Sequence, residues 1–229
     1  MFIGHFAVGF GAKRWAPAVS LGMLFFSAQF ADLLWPNLVL AKVEQVELKP
    51  GITVVTPLDF VSYPYSHSLL ALILWAALIG ILYRTIRKKS WRTAFVLMIA
   101  VVSHWVLDWI THRPDMPLSI FGTTKVGLGM WNSLPLTFIV ESAMFIAGII
   151  LYARNTTAVD RIGSMAFVGL AVFLYIIYLM DLFGPLPPGV EAIAWTGQAM
   201  WLLVIWAWWM DKHRLNRQDA KNYFISGGK

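Results

Sequence analysis

The chain is predicted to be an all-α, polytopic membrane protein: a bundle of about six transmembrane helices preceded by a short N-terminal helix that is re-entrant or lies at the interface. Three observations carry that prediction. Apolar residues make up 59% of the 229 and charged residues only 13%, against about 25% charged in ordinary soluble domains, and the mean hydropathy is +0.66. Apolar runs near the ~20 residues needed to cross a bilayer recur along the length. Lysine and arginine gather in alternate connections between them. In hydrocarbon every backbone N–H and C=O must find an internal partner, so runs of this kind fold as bundled helices.

Met1 to Ala12 is apolar and glycine-rich, carries His5, and is too short to span before Lys13 and Arg14. A secretory signal would place its basic residues ahead of the apolar stretch, not behind it. Pro17 suits the first turn of span one, expected over 16–40, with Asp32 in its second half. Residues 41–66 form the longest polar connection, with Lys42, Glu44, Glu47, Lys49 and Asp59. His67 opens span two, 67–84, with Ser66 as its expected N-cap. Arg84, Arg87, Lys88, Lys89 and Arg92 crowd the turn into span three, 91–111.

A loop containing Arg113, Pro117, Lys125 and Gly127 to Gly129 then leads to Asn132 and span four, 131–153, with Glu141 well inside it. Arg154 and Arg161 bracket the turn into span five, 162–183. The proline- and glycine-rich 184–189 cannot continue a helix. Span six, 190–210, is rich in tryptophan, and a polar, basic tail from Asp211 closes the chain. No repeat or low-complexity linker divides the sequence. It reads as one integral membrane domain, 1–229: residues 1–135 carry the candidate metal site, 136–211 the remaining spans, and 212–229 a basic cytoplasmic tail.

Six spans put Lys13 and Arg14, the 84–92 turn, Arg154 and Arg161, and the tail on one face. The positive-inside rule then makes that face, with both termini, cytoplasmic. The formal charge of +6 is explained by this topology, so no nucleic-acid partner is invoked. The absence of cysteine excludes disulfides and thiolate metal ligands.

The polar residues inside the spans carry the functional reading. His104, Asp108 and His112 are spaced four and four, so they share a helix face. His112 lies about 12 Å along the axis from His104, too far for one coordination shell without a bend or a second ion. On the expected topology Asp32, His67, His104 with Asp108, and Asn132 approach one membrane face from four separate helices. Ionisable groups inside lipid are costly and usually face a cavity or a partner. A His–Asp bond tying two helices together is the structural alternative. Imidazoles clustered with carboxylates are also the donor set of a zinc, manganese or iron site, and His5, Asp32, His67, His104 and Asp108 supply enough ligands. For His5 to take part, the N-terminal helix must fold back into the bundle. Glu141 is open to a general-base role or to pairing across helices, and Asn132 to positioning substrate or capping span four. Asp181, Glu191 and Asp211 read as solvated helix ends, and His213 as a solvated tail residue. Ser66 beside His67 gives no evidence of a dyad, because neighbours on a helix point apart.

Gly4-His5, Asp32-Leu-Leu-Trp-Pro36, Pro64-Tyr-Ser-His67, Ser103-His104-Trp-Val-Leu-Asp108 and Gly127-Leu-Gly-Met-Trp-Asn132 together resemble a bacterial inner-membrane family described as membrane-bound metal-dependent hydrolases, some of whose members are labelled permeases. The likeness covers roughly residues 1–135. It implies that His5, Asp32, His67, His104 and Asp108 are the metal ligands. The chain departs from the family pattern in two places. Leu34 stands where a second acidic residue follows the first aspartate, and the first histidine of the His-Arg-Gly-x-Thr-His element is missing near Tyr63 and Pro64. Both losses count against a two-metal centre.

The expectation is a hydrolase in the bacterial inner membrane, using a divalent metal, zinc before manganese or iron, on a phosphoester or a lipid-linked ester near the outer face. Glu141 or His112 would handle protons, and Arg113, Lys125 and Asn132 would contact substrate. A transporter coupling the same cluster to an ion or proton, and a non-catalytic scaffold, are the alternatives.

Overall fold

The computed structural model describes residues 1–225. It is predominantly helical, with three two-stranded pairs of short strands set in the irregular connections. The helices are α1 (Ile3–Ala12), α2 (Leu21–Ala28), α3 (Phe30–Leu40), α4 (Pro64–His67), α5 (Leu69–Arg87), α6 (Trp91–Thr111), α7 (Leu134–Asn155), α8 (Arg161–Phe183), α9 (Val190–Gln198), α10 (Met200–Asp211) and α11 (Arg217–Ile225). By length and composition α5, α6, α7, α8 and the α9–α10 run are each able to cross a membrane. The α2–α3 pair, bent by 58°, makes a sixth. The expected architecture is met, short N-terminal helix included.

Side-chain caps set where the spans begin. Ser20, Ser68, Ser90, Ser133 and Asp160 each accept a hydrogen bond from the backbone N–H three residues on, starting α2, α5, α6, α7 and α8. Each satisfies one of the four N–H groups that a helix leaves unpaired at its start. Three expected boundaries shift accordingly. Span one begins at Leu21 rather than 16, because Pro17 lies in a turn ahead of the Ser20 cap. Span two is capped by Ser68, and Ser66 with His67 forms the separate single turn α4. Asn132 sits in a 3-10 turn (Met130–Asn132), so Ser133 takes the cap it was expected to supply.

α1 is buried along almost its whole length and packs on α2, α6 and α7. Glycines allow the closest approaches. A Cβ on Gly148 of α7 would stand 2.6 Å from the Ala7 carbonyl oxygen, and one on Gly22 of α2 would stand 2.7 Å from the Val204 carbonyl oxygen of α10. Both obstacles are backbone and cannot swing aside. At the start of α1, Glu141 Oε2 accepts from the N–H groups of Phe2 (2.9 Å) and Gly4 (3.3 Å). At its far end the buried Lys13 donates to Asp211 Oδ2 (2.6 Å) and to the Val19 carbonyl (2.8 Å). Asp211 also accepts from the Leu21 N–H (3.0 Å) and the Tyr152 hydroxyl (2.6 Å).

Asp211 is therefore no solvated helix end. Because α1 is short, its last residue stops beneath α2, α7 and α10, and the lysine needs a carboxylate there. His213 is likewise not a free tail residue: it pairs with Asp160 at 2.6 Å, where β5 (Thr156–Ala158) meets β6 (Arg214–Asn216). α1 runs from Met1, whose nitrogen is 2.6 Å from Asp108, to the end of the bundle where Lys13 meets Asp211. Met1 and the end of α10 thus lie toward opposite ends of α1.

At the Asp108 end, β1 (Gln45–Leu48) and β2 (Leu58–Ser62) pair antiparallel. Their Val46 and Phe60 pack with Trp35, Tyr63 and Met116 into one buried cluster. The short strands β3 (Met116–Pro117) and β4 (Lys125–Val126) complete that cap.

Removing one partner of a buried ion pair costs about 3–5 kcal/mol, so Asp211→Ala is expected to lose stability on that order in detergent denaturation. Pairing it with Lys13→Met should recover a large part.

Candidate metal centre

Five side chains from four elements converge near the Asp108 end. α1 supplies His5, α3 Asp32, α4 His67, and α6 both His104 and Asp108. They form two triads, His5–His104–Asp108 and Asp32–His67–His104, and within each triad the candidate ligand atoms lie within 4.8 Å of one another. Asp108 Oδ2 is 3.1 Å from His104 Nε2 and 3.8 Å from His67 Nε2. Asp32 Oδ1 is 3.3 Å from His67 Nε2 and 3.6 Å from His104 Nε2. His5 Nε2 is 3.0 Å from Asp108 Oδ1, and the His5 ring stacks on His104 at 3.7 Å between centroids. The folding back that His5 required is thus observed.

The partners on the far side of each ring decide what the near nitrogens carry. His104 Nδ1 lies 2.9 Å from the Ala28 carbonyl oxygen, which can only accept, so Nδ1 holds the proton. That carbonyl is free because α2 stops there, and no backbone N–H claims it. Ser66 Oγ donates to Glu44 Oε2 (2.6 Å) and lies 2.7 Å from His67 Nδ1. Its only proton is committed to Glu44, so the serine must accept from His67 Nδ1–H. Glu44 is held in turn by the N–H groups of Tyr65 and Ser66. In neutral His67 and His104 the Nε2 atoms are then bare lone pairs, and both face the Asp32 and Asp108 carboxylates.

Four acceptors facing one another repel unless a cation sits among them; the Met1 ammonium, 2.6 Å from Asp108 Oδ1, meets that one carboxylate from its outer side and leaves Asp32 and the two Nε2 atoms without a cation. His104 Nε2 and His5 Nδ1 are buried with no hydrogen-bond partner among the described residues. The donor set of imidazole nitrogens and carboxylate oxygens suits zinc, manganese or iron, and the fixed tautomers are those a metal needs. These residues fit a divalent ion.

Access is one-sided. The side chains of His5, His67, His104 and Asp108 are at most 4% exposed, whereas Asp32 is 26% exposed. It opens onto a cavity of about 780 Å³.

The other expected site residues lie outside this cluster. Glu141 Oε2 is occupied at the start of α1, as described above. His112 stands just past α6, with Nδ1 3.0 Å from Asp115 Oδ1, packed against Phe60 and Trp131. Burial pushes its imidazole below the usual range, against the opposing pull of Asp115. Arg113 pairs with Asp59 and with Asp115, and Lys125 donates to the Val61 carbonyl at 2.9 Å. Asn132 lies in the turn before α7. None of these side chains makes a hydrogen bond or ion pair with the five, among the described residues.

Sequence reasoning missed Glu44 and set Ser66 aside. Neighbours on a regular helix do diverge, but His67 ends a single turn, where its Nδ1 can reach the adjacent hydroxyl. Glu44 is brought in by the hairpin over 45–62, and no spacing announces it.

A bundle of five to six candidate spans closed around buried histidines and aspartates defines a multi-pass membrane protein with a candidate metal centre. The chain belongs to the YdjM inner membrane protein family, whose model matches residues 1–184. That description places the family in the inner membrane and names no reaction. No curated protein and no solved structure matches the chain.

Losing an outer hydrogen bond to a metal-binding histidine typically costs 10–100-fold in affinity. Ser66→Ala is therefore expected to weaken zinc binding by about 10–100-fold in competition with a chromophoric chelator, and Ser66→Thr to retain most of it.

Proposed function

We propose that this protein is a membrane-embedded, metal-dependent hydrolase acting on a phosphoester or a lipid-linked ester near the outer face of the inner membrane. One observation carries the reading: the Nε2 lone pairs of His67 and His104 are fixed by Ser66 and Ala28 so that they point at two carboxylates. A divalent ion, zinc first by this donor set, supplies a Lewis acid that polarises an ester or phosphoryl oxygen and acidifies water.

His67, His104, Asp32 and Asp108 are the ligands in this reading. His104 belongs to both triads but has one free lone pair, so the set favours a single ion. That agrees with the two acidic and histidine positions the sequence lacks. His5, stacked behind His104, braces it, and α1 closes the cluster against water on that side. Asp32 is the ligand that substrate meets first. Among the described residues only Lys42, Lys49, Arg113 and Lys125 of the basic side chains lie at the cluster's end of the bundle, which directs that end outward under the positive-inside rule.

A transporter is the second reading, favoured by the 58° break between α2 and α3 beside the cluster, since discontinuous helices line ion sites in transporters.

Metal analysis of the purified protein, with a screen of phosphodiester, phosphomonoester and carboxylic ester substrates, tests the proposal. Wild type is expected to carry about one divalent ion per chain. Asp108→Ala is expected to lose both the ion and turnover by more than about 100-fold. Solute uptake into liposomes by metal-free protein would favour the transporter instead.

A further inference from the structure

The 780 Å³ cavity beside Asp32 lies within the roughly 300–1,000 Å³ of small-ligand sites. One wall is α3, which brings Asp32 and, one turn on, Trp35. The other is formed by α8 and the α9–α10 run, with Ile177, Met200, Leu203 and Trp206. Residues 54–58 and 184–188 close its upper end. The cavity runs along the helices from Trp206 to that end, and its surface is mainly aliphatic and aromatic.

One further feature points to an occupant. Trp35 and Trp206 give the cavity large aromatic walls at its two ends. The cavity is also continuous with the one exposed ligand of the cluster, so whatever fills it ends beside the candidate metal.

We propose that this cavity holds the hydrocarbon chain of a membrane lipid, entering from the leaflet at the cluster's end between α8 and α9, with its ester or phosphate oxygens set beside Asp32. The assignment rests on the hydrolase reading for its consequence and narrows that reading to substrates carrying a long apolar tail. A water-soluble phosphoester would leave the lower cavity unfilled. In the bilayer only an apolar chain is at hand to fill it.

The test uses full-length protein in nanodiscs of phosphatidylethanolamine and phosphatidylglycerol, doped with a phosphatidylethanolamine whose acyl chain carries a diazirine. After photolysis, adducts are mapped by mass spectrometry. They are expected to concentrate on Ile177, Met200 and Leu203 over Ile99 and Ile139, which lie on the exposed outer faces of α6 and α7. Ala199→Phe places a ring in the cavity and is expected to cut those adducts about tenfold, with unchanged metal content showing that the bundle is intact.

Equal labelling of cavity and outer faces, unaltered by Ala199→Phe, would overturn the lipid assignment even if the protein holds metal and hydrolyses soluble esters. Concentrated labelling on metal-free, inactive wild type would uphold the lipid site and remove the hydrolase.

Discussion

The structure turns on four electron-rich atoms that face one another, three of them closed off from water and the Asp32 oxygen at the mouth of a cavity. In neutral His67 and His104 the protons sit on the outer nitrogens, held by Ser66 and the Ala28 carbonyl, so nothing on the rings offsets the charge of Asp32 and Asp108, and only Asp108 has the Met1 ammonium beside it. In a medium of low polarity that repulsion is poorly screened, and hydrophobic packing alone gives no reason to assemble it. The rest of the bundle then reads as the means of holding these groups together. The break after Ala28 frees a carbonyl for His104 and turns α3 so that Asp32 enters. The hairpin over 45–62 carries Glu44 to Ser66. α1 is drawn inward until His5 stacks on His104.

α1 is the least obvious of these parts, because a ten-residue helix inside a membrane is too short for both its ends to reach water. Each end has therefore been given a charged partner. The carboxylate of Glu141 meets the N–H groups of Phe2 and Gly4, where the helix dipole is positive. Lys13 meets Asp211 at the other end. These two contacts fix the helix along its axis, while the close approach at Gly148 fixes its distance from α7. A shift of one turn would move His5 by about 5.4 Å and take it off Asp108. The intramembrane glutamate that looked like a catalytic base is bound up in this arrangement.

What the sequence made legible follows from which signals are periodic. Apolar runs, their flanking cations, and the four-residue interval between His104 and Asp108 are repeating features with one geometric meaning on a helix. They fixed the spans and one edge of the cluster. The convergence of Asp32 and His67 could be reasoned from alternating topology. Glu44 could not, because its approach to Ser66 depends on how a 22-residue connection folds back. Asp211 failed for a related reason: its position at a helix end suggests solvent, and only the tertiary position of Lys13 shows otherwise. Arg113 and Lys125 were cations near a site, and the loops that carry them had already supplied Asp59 and the Val61 carbonyl as partners.

The extent of the family match bears on how the two walls of the cavity relate. Residues 1–184 include all five clustered side chains, both contacts that hold the start of α1, the Glu44–Ser66 support, and the α3 and α8 sides of the cavity. The α9–α10 run lies beyond that stretch. It contributes Asp211, which locks Lys13, and Met200, Leu203 and Trp206, which face Asp32 across the cavity. The matched region by itself would leave the end of α1 without its carboxylate and the cavity open along one side. The last span therefore does two jobs at once: it secures the helix that carries His5, and it supplies the apolar wall that decides what can lie beside the cluster. Chemistry and selectivity would then reside on different parts of the chain, joined through the Lys13–Asp211 contact at one end and the cavity at the other.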